Sequence, residues 1–182
     1  MIIFDLDGTL ANCEHRKHFV DSKYMISQCK HETDGFSLVC VDCFNKIKKW
    51  KPDWDAFHEA CDQDTPIYPV WDSFNHIRQW HEDYAIWSGR SESVRKKTIN
   101  WLMNRCPLRP TYWNEESWNC ILKMRPIGDY TPDDQLKEQW LDEAIAEGKT
   151  IDWVFDDRPK VIQMWRRRGI FVFDVCQGNG EF

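Results

Sequence analysis

The sequence predicts an α/β domain: a parallel sheet with helices on both faces, interrupted after its first strand by an inserted segment. Two observations carry this reading. From Val70 onward, short apolar runs alternate with stretches of helical periodicity, and such alternation is most economically satisfied by a parallel sheet. Four strand ends also carry charged or hydroxyl groups: Asp5/Asp7, Ser88-Gly89-Arg90, the region of Arg125 and Asp129, and Asp156/Asp157. Ligands of open α/β sheets sit at that edge.

In order, Ile2 to Phe4 is an apolar run that reads as a buried strand and breaks at Asp5-Leu6-Asp7-Gly8-Thr9. Asn12 to Val20 reads as a helix or the start of a cap, and Asp21 to Lys51 as an added subdomain. Pro52-Asp53 offers an N-cap for a helix over Trp54 to Cys61. Thr65 to Pro69 reads as a hinge. Val70, Phe74, Ile77 and Trp80, with Trp71 beside them, mark one face of the next helix. Tyr84 to Trp87 is a strand ending at Ser88, and Ser91 opens a helix with Val94, Ile99 and Leu102 inward. Ile121 to Met124 is a strand, Pro126 to Pro132 a loop, and Asp133 caps a helix reaching Glu147. Ile151 to Phe155 is a strand, Pro159 to Arg168 a helix, and Ile170 to Val175 the last strand. The expected division is a core of residues 1–11 and 66–182 around an insertion of residues 12–65.

The 182 residues suffice for one domain with a modest insertion, and 11 Trp supply bulky core packing. A net charge of −6 argues against broad coating of nucleic acid, while leaving local phosphate recognition open. No run approaches a membrane span, and Met1 leads directly into the first strand, so no membrane association and no targeting segment are expected. The eight cysteines are then expected as reduced thiols or metal ligands in a cytoplasmic protein.

Two carboxylates at i and i+2 where a strand ends face one pocket and repel each other, so a cation is expected between them. Mg²⁺ suits such a site, because it takes one or two carboxylates and leaves room for water and phosphate. Inside the insertion, Cys29, His31, Cys40 and Cys43 form a donor set of the kind structural Zn²⁺ accepts. The same thiols would also suit a small core. Lys46, Lys48, Lys49 and Lys51 around Trp50 read either as a solvated helix face or as a track for a nucleic-acid backbone. His58, His76 and His81 read as surface or helix residues, and Arg166 to Arg168 as exposed at a helix C-terminus.

Asp5-x-Asp7-Gly8-Thr9, directly after an apolar strand, resembles the first motif of the haloacid dehalogenase (HAD) superfamily, whose fold is Rossmann-like and whose phosphotransferases form an aspartyl-phosphate. Nearer still is the resemblance to the 3′-phosphatase domain of bacteriophage polynucleotide kinases. It rests on Ser88-Gly89-Arg90, Gly128-Asp129, Asp133-Asp134 with Lys137, and Asp156-Asp157-Arg158 followed by Met164-Trp165-Arg166-Arg167. The resemblance implies Asp5 as nucleophile and Asp7 as acid and base. It places Ser88 and Lys137 at the phosphoryl group, with Mg²⁺ held by Asp5, the Asp7 main-chain carbonyl, Asp156 and Asp157. Gly89, Arg90, Arg16, Arg125 and Asp133 are the expected substrate contacts. The implied substrate is a phosphorylated nucleic-acid end, in a host cytoplasm if the chain is phage-encoded. Two rivals stand beside it: a nucleotidase acting on (deoxy)nucleoside monophosphates, and a non-catalytic nucleic-acid-binding module. No Gly-x-x-x-x-Gly-Lys-Ser/Thr phosphate loop is present, so no kinase half is expected.

Overall fold

The computed structural model describes residues 1–27, 39–106 and 113–176. Its strands are β1 (Ile2–Phe4), β2 (Ala11–Asn12), β3 (Thr65–Pro66), β4 (Tyr84–Ser91), β5 (Leu122–Arg125), β6 (Trp153–Asp156) and β7 (Phe171–Asp174). The α-helices are α1 (Ser22–Ser27), α2 (Val41–Lys49), α3 (Trp54–Glu59), α4 (Tyr68–Trp80), α5 (Arg95–Arg105), α6 (Glu115–Ile121), α7 (Asp133–Ala146) and α8 (Pro159–Arg167). Five strands form one parallel sheet in the order β5-β4-β1-β6-β7.

The most apolar strand lies at the centre. Ile2, Ile3 and Phe4 are each at most 1% exposed, and successive side chains feed opposite cores. Ile2 and Phe4 pack with Val70, Trp71 and Phe74 of α4 and with Ile99 and Leu102 of α5. Ile3 packs with Leu136, Trp140 and Leu141 of α7 and with Val161, Ile162 and Trp165 of α8. Helices therefore cover both faces, as the alternation of elements predicts. From β1 the chain runs outward through β4 and β5 on one side and through β6 and β7 on the other. The carboxyl end of β1 is thus the topological switch point, where α/β sheets open a crevice.

Several local expectations change. The hinge at 65–69 is instead β3, paired antiparallel to β2 (Ala11 opposite Pro66, Asn12 opposite Thr65), followed by the start of α4 with Pro69 in its first turn. Proline suits that position, where its missing N–H has no intrahelical partner. Trp80 is 82% exposed and Trp71 is fully buried, so α4 turns a different edge inward than the spacing to Trp80 suggests. The segment at 12–20 is a 3₁₀ helix, Glu14–Phe19. β4 continues through Ser91, with a register shift between Ser88 and Ser91 that re-aims the chain at the site. Asp133 does not cap α7: Pro132 holds the cap position, and the Asp133 carboxylate is committed to ion pairs described below.

β2 and β3 form the neck through which the segment 12–65 leaves and rejoins the sheet. Within that segment α2 buries no residue, and Lys46, Lys48, Lys49 and Lys51 are all exposed. Two of the expected zinc ligands, Cys29 and His31, lie outside the described residues. Cys40 instead caps α2, its sulfur accepting from the Cys43 N–H at 3.4 Å. Cys13 is buried, and that burial pushes its thiol up to about 12, away from the thiolate that binds metal. Among the described residues the grouped ligand atoms able to hold a metal are carboxylate oxygens alone. Structural zinc has no support.

Candidate active site

Asp5 follows β1 directly, its main-chain N–H donating to the Phe155 carbonyl at 2.9 Å, and it is 6% exposed. Asp156 is the last residue of β6, the neighbouring strand, so the two carboxylates converge. Lys137 of α7 donates to Asp5 Oδ1 at 2.6 Å and to Asp156 Oδ2 at 2.9 Å. The Arg158 N–H and the Trp165 indole N–H also donate to Asp156 and fix its orientation. Asp157 accepts from the Thr9 hydroxyl at 3.2 Å. It lies so close to Gly8 that a Cβ there would stand 1.9 Å from its Oδ2. Gly8 also has φ +89°, so both backbone conformation and space require glycine.

The oxygens of Asp5, Asp156 and Asp157 lie within 4.8 Å of one another. Burial, helped by Asp156 and Asp157, raises the Asp5 carboxyl well above its ordinary range despite Lys137. Burial and the neighbouring Asp156 push Asp157 up to about 6. Lys137, with Arg158 nearby but ion-paired to Asp133, leaves this trio short of positive charge, and hard carboxylate oxygens at such spacing suit Mg²⁺. The Asp7 side chain is not part of that group.

The Asp7 carboxylate is instead held by arginines. Its Oδ1 accepts from Arg16 Nη2 at 2.6 Å and from Arg90 Nε and Nη2 at 2.8 and 2.5 Å. Burial would raise the Asp7 carboxyl, but the two guanidinium groups outweigh it and hold it far below the ordinary range. Both arginines are completely buried and also bond Asp64: Arg16 through Nε and Nη2, both at 2.7 Å, and Arg90 through Nη2 at 2.6 Å. His15 Nε2 lies 2.8 Å from Asp64 Oδ1. Two cations thus meet two carboxylates, and the Phe57 ring and carbonyl of α3 close the cluster over Arg16.

Ser88 is fully buried, its hydroxyl accepting from the Arg90 N–H at 3.2 Å. Gly89 abuts Asp133, since a Cβ there would lie 2.5 Å from Asp133 Oδ1. Arg125, expected as a substrate contact, spends its donors inside the protein. It reaches the Gly89 carbonyl at 2.9 Å, the Thr131 carbonyl at 2.5 Å and Asp133 at 2.5 Å. It braces the loop. Asp133 pairs with Arg125 and Arg158; Arg158, Lys137 and Arg125 keep its carboxyl low against burial.

Asp64 escaped the sequence reading. Asp64 lay in what read as the approach to a hinge, and the need of two buried arginines for a second carboxylate emerges only once their burial is known. His58 lies in α3, as one of its two expected placements had it, and is half-buried there. Burial lowers its pKa, with Asp7, Arg16, Arg90 and Arg125 all near enough to act on it.

Residues 51–180 match the family described as the polynucleotide kinase PNKP phosphatase domain. The chain belongs to that family. A protein of Autographa californica nuclear polyhedrosis virus, named as a bifunctional polynucleotide kinase/RNA ligase, is 30% identical over 128 residues, covering 69% of this chain. The chain spans only 17% of that relative's length. A chain of the Pnkp1/Rnl/Hen1 complex superposes with a TM-score of 0.57 at 22% identity, over 98% of this chain and 46% of that one. A haloacid dehalogenase-like hydrolase of Streptococcus pneumoniae gives 0.53 at 14% identity, over 99% and 86%. The PNKP-type domain is therefore a HAD-type phosphatase with the α/β fold of that superfamily. No described helix is long and apolar enough to cross a membrane.

Proposed function

We propose that the chain is a Mg²⁺-dependent polynucleotide 3′-phosphatase that works through an aspartyl-phosphate on Asp5. The observation that carries this reading is the buried Asp5 carboxylate, with Lys137 at 2.6 Å and two further carboxylates beside it. Asp5, Asp156 and Asp157 would hold Mg²⁺, which when bound supplies charge neutralisation for the phosphoryl group. Asp5 attacks phosphorus, and the leaving 3′-oxygen takes a proton from Asp7. Water, deprotonated by Asp7, then cleaves the aspartyl-phosphate and releases inorganic phosphate. Ser88 and the neighbouring main-chain N–H groups would hold the non-bridging oxygens.

In the resting site Asp7 is ionised by its two arginines, ready to act as the base. A phosphate dianion that draws Arg16 and Arg90 toward itself weakens their hold on Asp7, which raises its proton affinity for the first step. Lys137 balances Asp5 and Asp156 while the nucleophile is free. The polynucleotide substrate is supported by the family match and by the kinase/ligase name of the viral relative.

Phosphate release should be measured from 3′-phosphorylated oligonucleotides and from nucleoside monophosphates, with Mg²⁺ and with a chelator. The reading expects Mg²⁺-dependent turnover of the oligonucleotide. Preference for mononucleotides would make the enzyme a nucleotidase instead, and oligonucleotide binding without hydrolysis would make it a binding module.

A further inference from the structure

We propose that Tyr130, with Ile127 beside it, is a stacking platform for the nucleobase of the nucleotide that carries the scissile phosphate. This rests on the nucleic-acid reading above and names a residue that selects the substrate.

Tyr130 is 85% exposed and Ile127 72% exposed. Among the described residues no other ring packs on that of Tyr130, so it contributes nothing to the core. The loop that carries both residues is nevertheless tightly built. The Asp129 N–H donates to the Pro126 carbonyl at 3.2 Å, and the Thr131 N–H donates to Asp129 Oδ1 at 2.8 Å. Arg125 then ties Thr131 and Asp133 to Gly89. The inner side of the loop therefore touches the Ser88-Gly89-Arg90 turn, while its outer residues are a tyrosine and an isoleucine.

The loop joins β5 to α7, so it stands at the carboxyl edge of the sheet, one helical turn from Lys137. A phosphate bound at Ser88 and Asp5 would leave its nucleoside at the same carboxyl edge of the sheet as this loop. Every base has a π-face, and base–aromatic stacking is worth about 1–3 kcal/mol per base, roughly 5- to 150-fold in affinity. Tyrosine offers large contact area with few rotatable bonds, and a loop already fixed by hydrogen bonds loses little freedom on binding.

The test compares two 3′-phosphorylated oligonucleotides, one ending in an ordinary nucleotide and one in an abasic nucleotide, with wild type, Tyr130→Ala and Tyr130→Phe. Wild type should favour the base-bearing end on the order of tenfold in KM. Tyr130→Ala should collapse that ratio with little change in kcat, and Tyr130→Phe should preserve it, because the ring face is what stacks. An equal loss on both substrates, or an intact ratio in Tyr130→Ala, overturns the platform while leaving the phosphatase reading in place. If wild type hydrolyses mononucleotides only, the polynucleotide reading falls. Comparison of a nucleoside 3′-phosphate with ribose phosphate then decides the platform. Independently of turnover, Asp5→Asn with 2-aminopurine as the terminal base should show quenching on binding that Tyr130→Ala removes. Quenching that persists in the double variant overturns the proposal.

Discussion

Two clusters flank the end of β1, only two residues apart along the chain, and they are electrostatic opposites. Around Asp5, three carboxylates cluster with one lysine, which pairs with Asp5 and Asp156, and burial drives Asp5 and Asp157 toward protonation. Around Asp7, two buried arginines meet two carboxylates, and Asp7 is held firmly ionised. Similar burial gives opposite outcomes because the charge count differs. The under-neutralised cluster is the one that the proposed Mg²⁺ would complete. The balanced one has guanidinium groups that an incoming phosphate can share.

The sharpest break in the comparison is Asp5→Asn, which removes the proposed nucleophile while keeping the shape. Turnover should fall by on the order of 10³-fold or more with an unchanged circular dichroism spectrum; substantial residual activity would end the nucleophile assignment. Next, Asp64→Asn strips the arginine cluster of one carboxylate. Removing a partner from a buried ion pair costs about 3–5 kcal/mol, visible in chemical denaturation at pH 7. A loss below about 1 kcal/mol would mean that Asp7 alone can neutralise both arginines.

Metal should act on one cluster only. Mg²⁺ at 100 times its dissociation constant stabilises a folded protein by about 2.7 kcal/mol, and Asp156→Asn should abolish that gain whereas Asp64→Asn should not. Equal shifts in both variants would place the ion elsewhere.

The smallest effect is pH dependence without metal. Asp157 is raised to about 6 from an unfolded value near 3.9, so the folded state binds more protons between those limits. Its contribution is therefore present at low pH and lost as pH rises from about 4 to 6. Asp7 runs the other way: its folded pKa is depressed, so its contribution is full above about pH 4 and is lost as pH falls through the folded value. Melting curves in chelator from pH 4 to 7 should show a decline that Asp157→Asn reduces, the raised Asp5 carboxyl supplying a part of the same sign. An unaltered slope in that variant would place the titration elsewhere.

Much of this was legible in the residues. The apolar triplet Ile2-Ile3-Phe4 and the polar ends of later strands identify a parallel sheet with its site at the carboxyl edge, because strand periodicity and topology leave few alternatives. Lys137 could be singled out as the cation beside Asp5. What escaped was pairing across distance. Asp64 lies 48 residues from Arg16, and local pattern carries no signal for such a partner. Trp80 fits the helical spacing but faces water, since periodicity defines a stripe and only packing against the sheet defines its edges. Arg125 looked like a free cation because a sequence does not reveal which carbonyls will reach it.

By itself, then, the sequence determined the five strands of the main sheet, the helices α4, α5, α7 and α8 between them, and the chemical types gathered at the strand ends, since these follow from short-range periodicity. Only the tertiary structure decided which charges share a partner: Asp5 with Lys137 and the acidic trio, Asp7 with two arginines and Asp64. The reason is that a carboxylate's proton affinity depends on burial and on neighbours within a few ångströms, and those neighbours come from elements far apart in the chain.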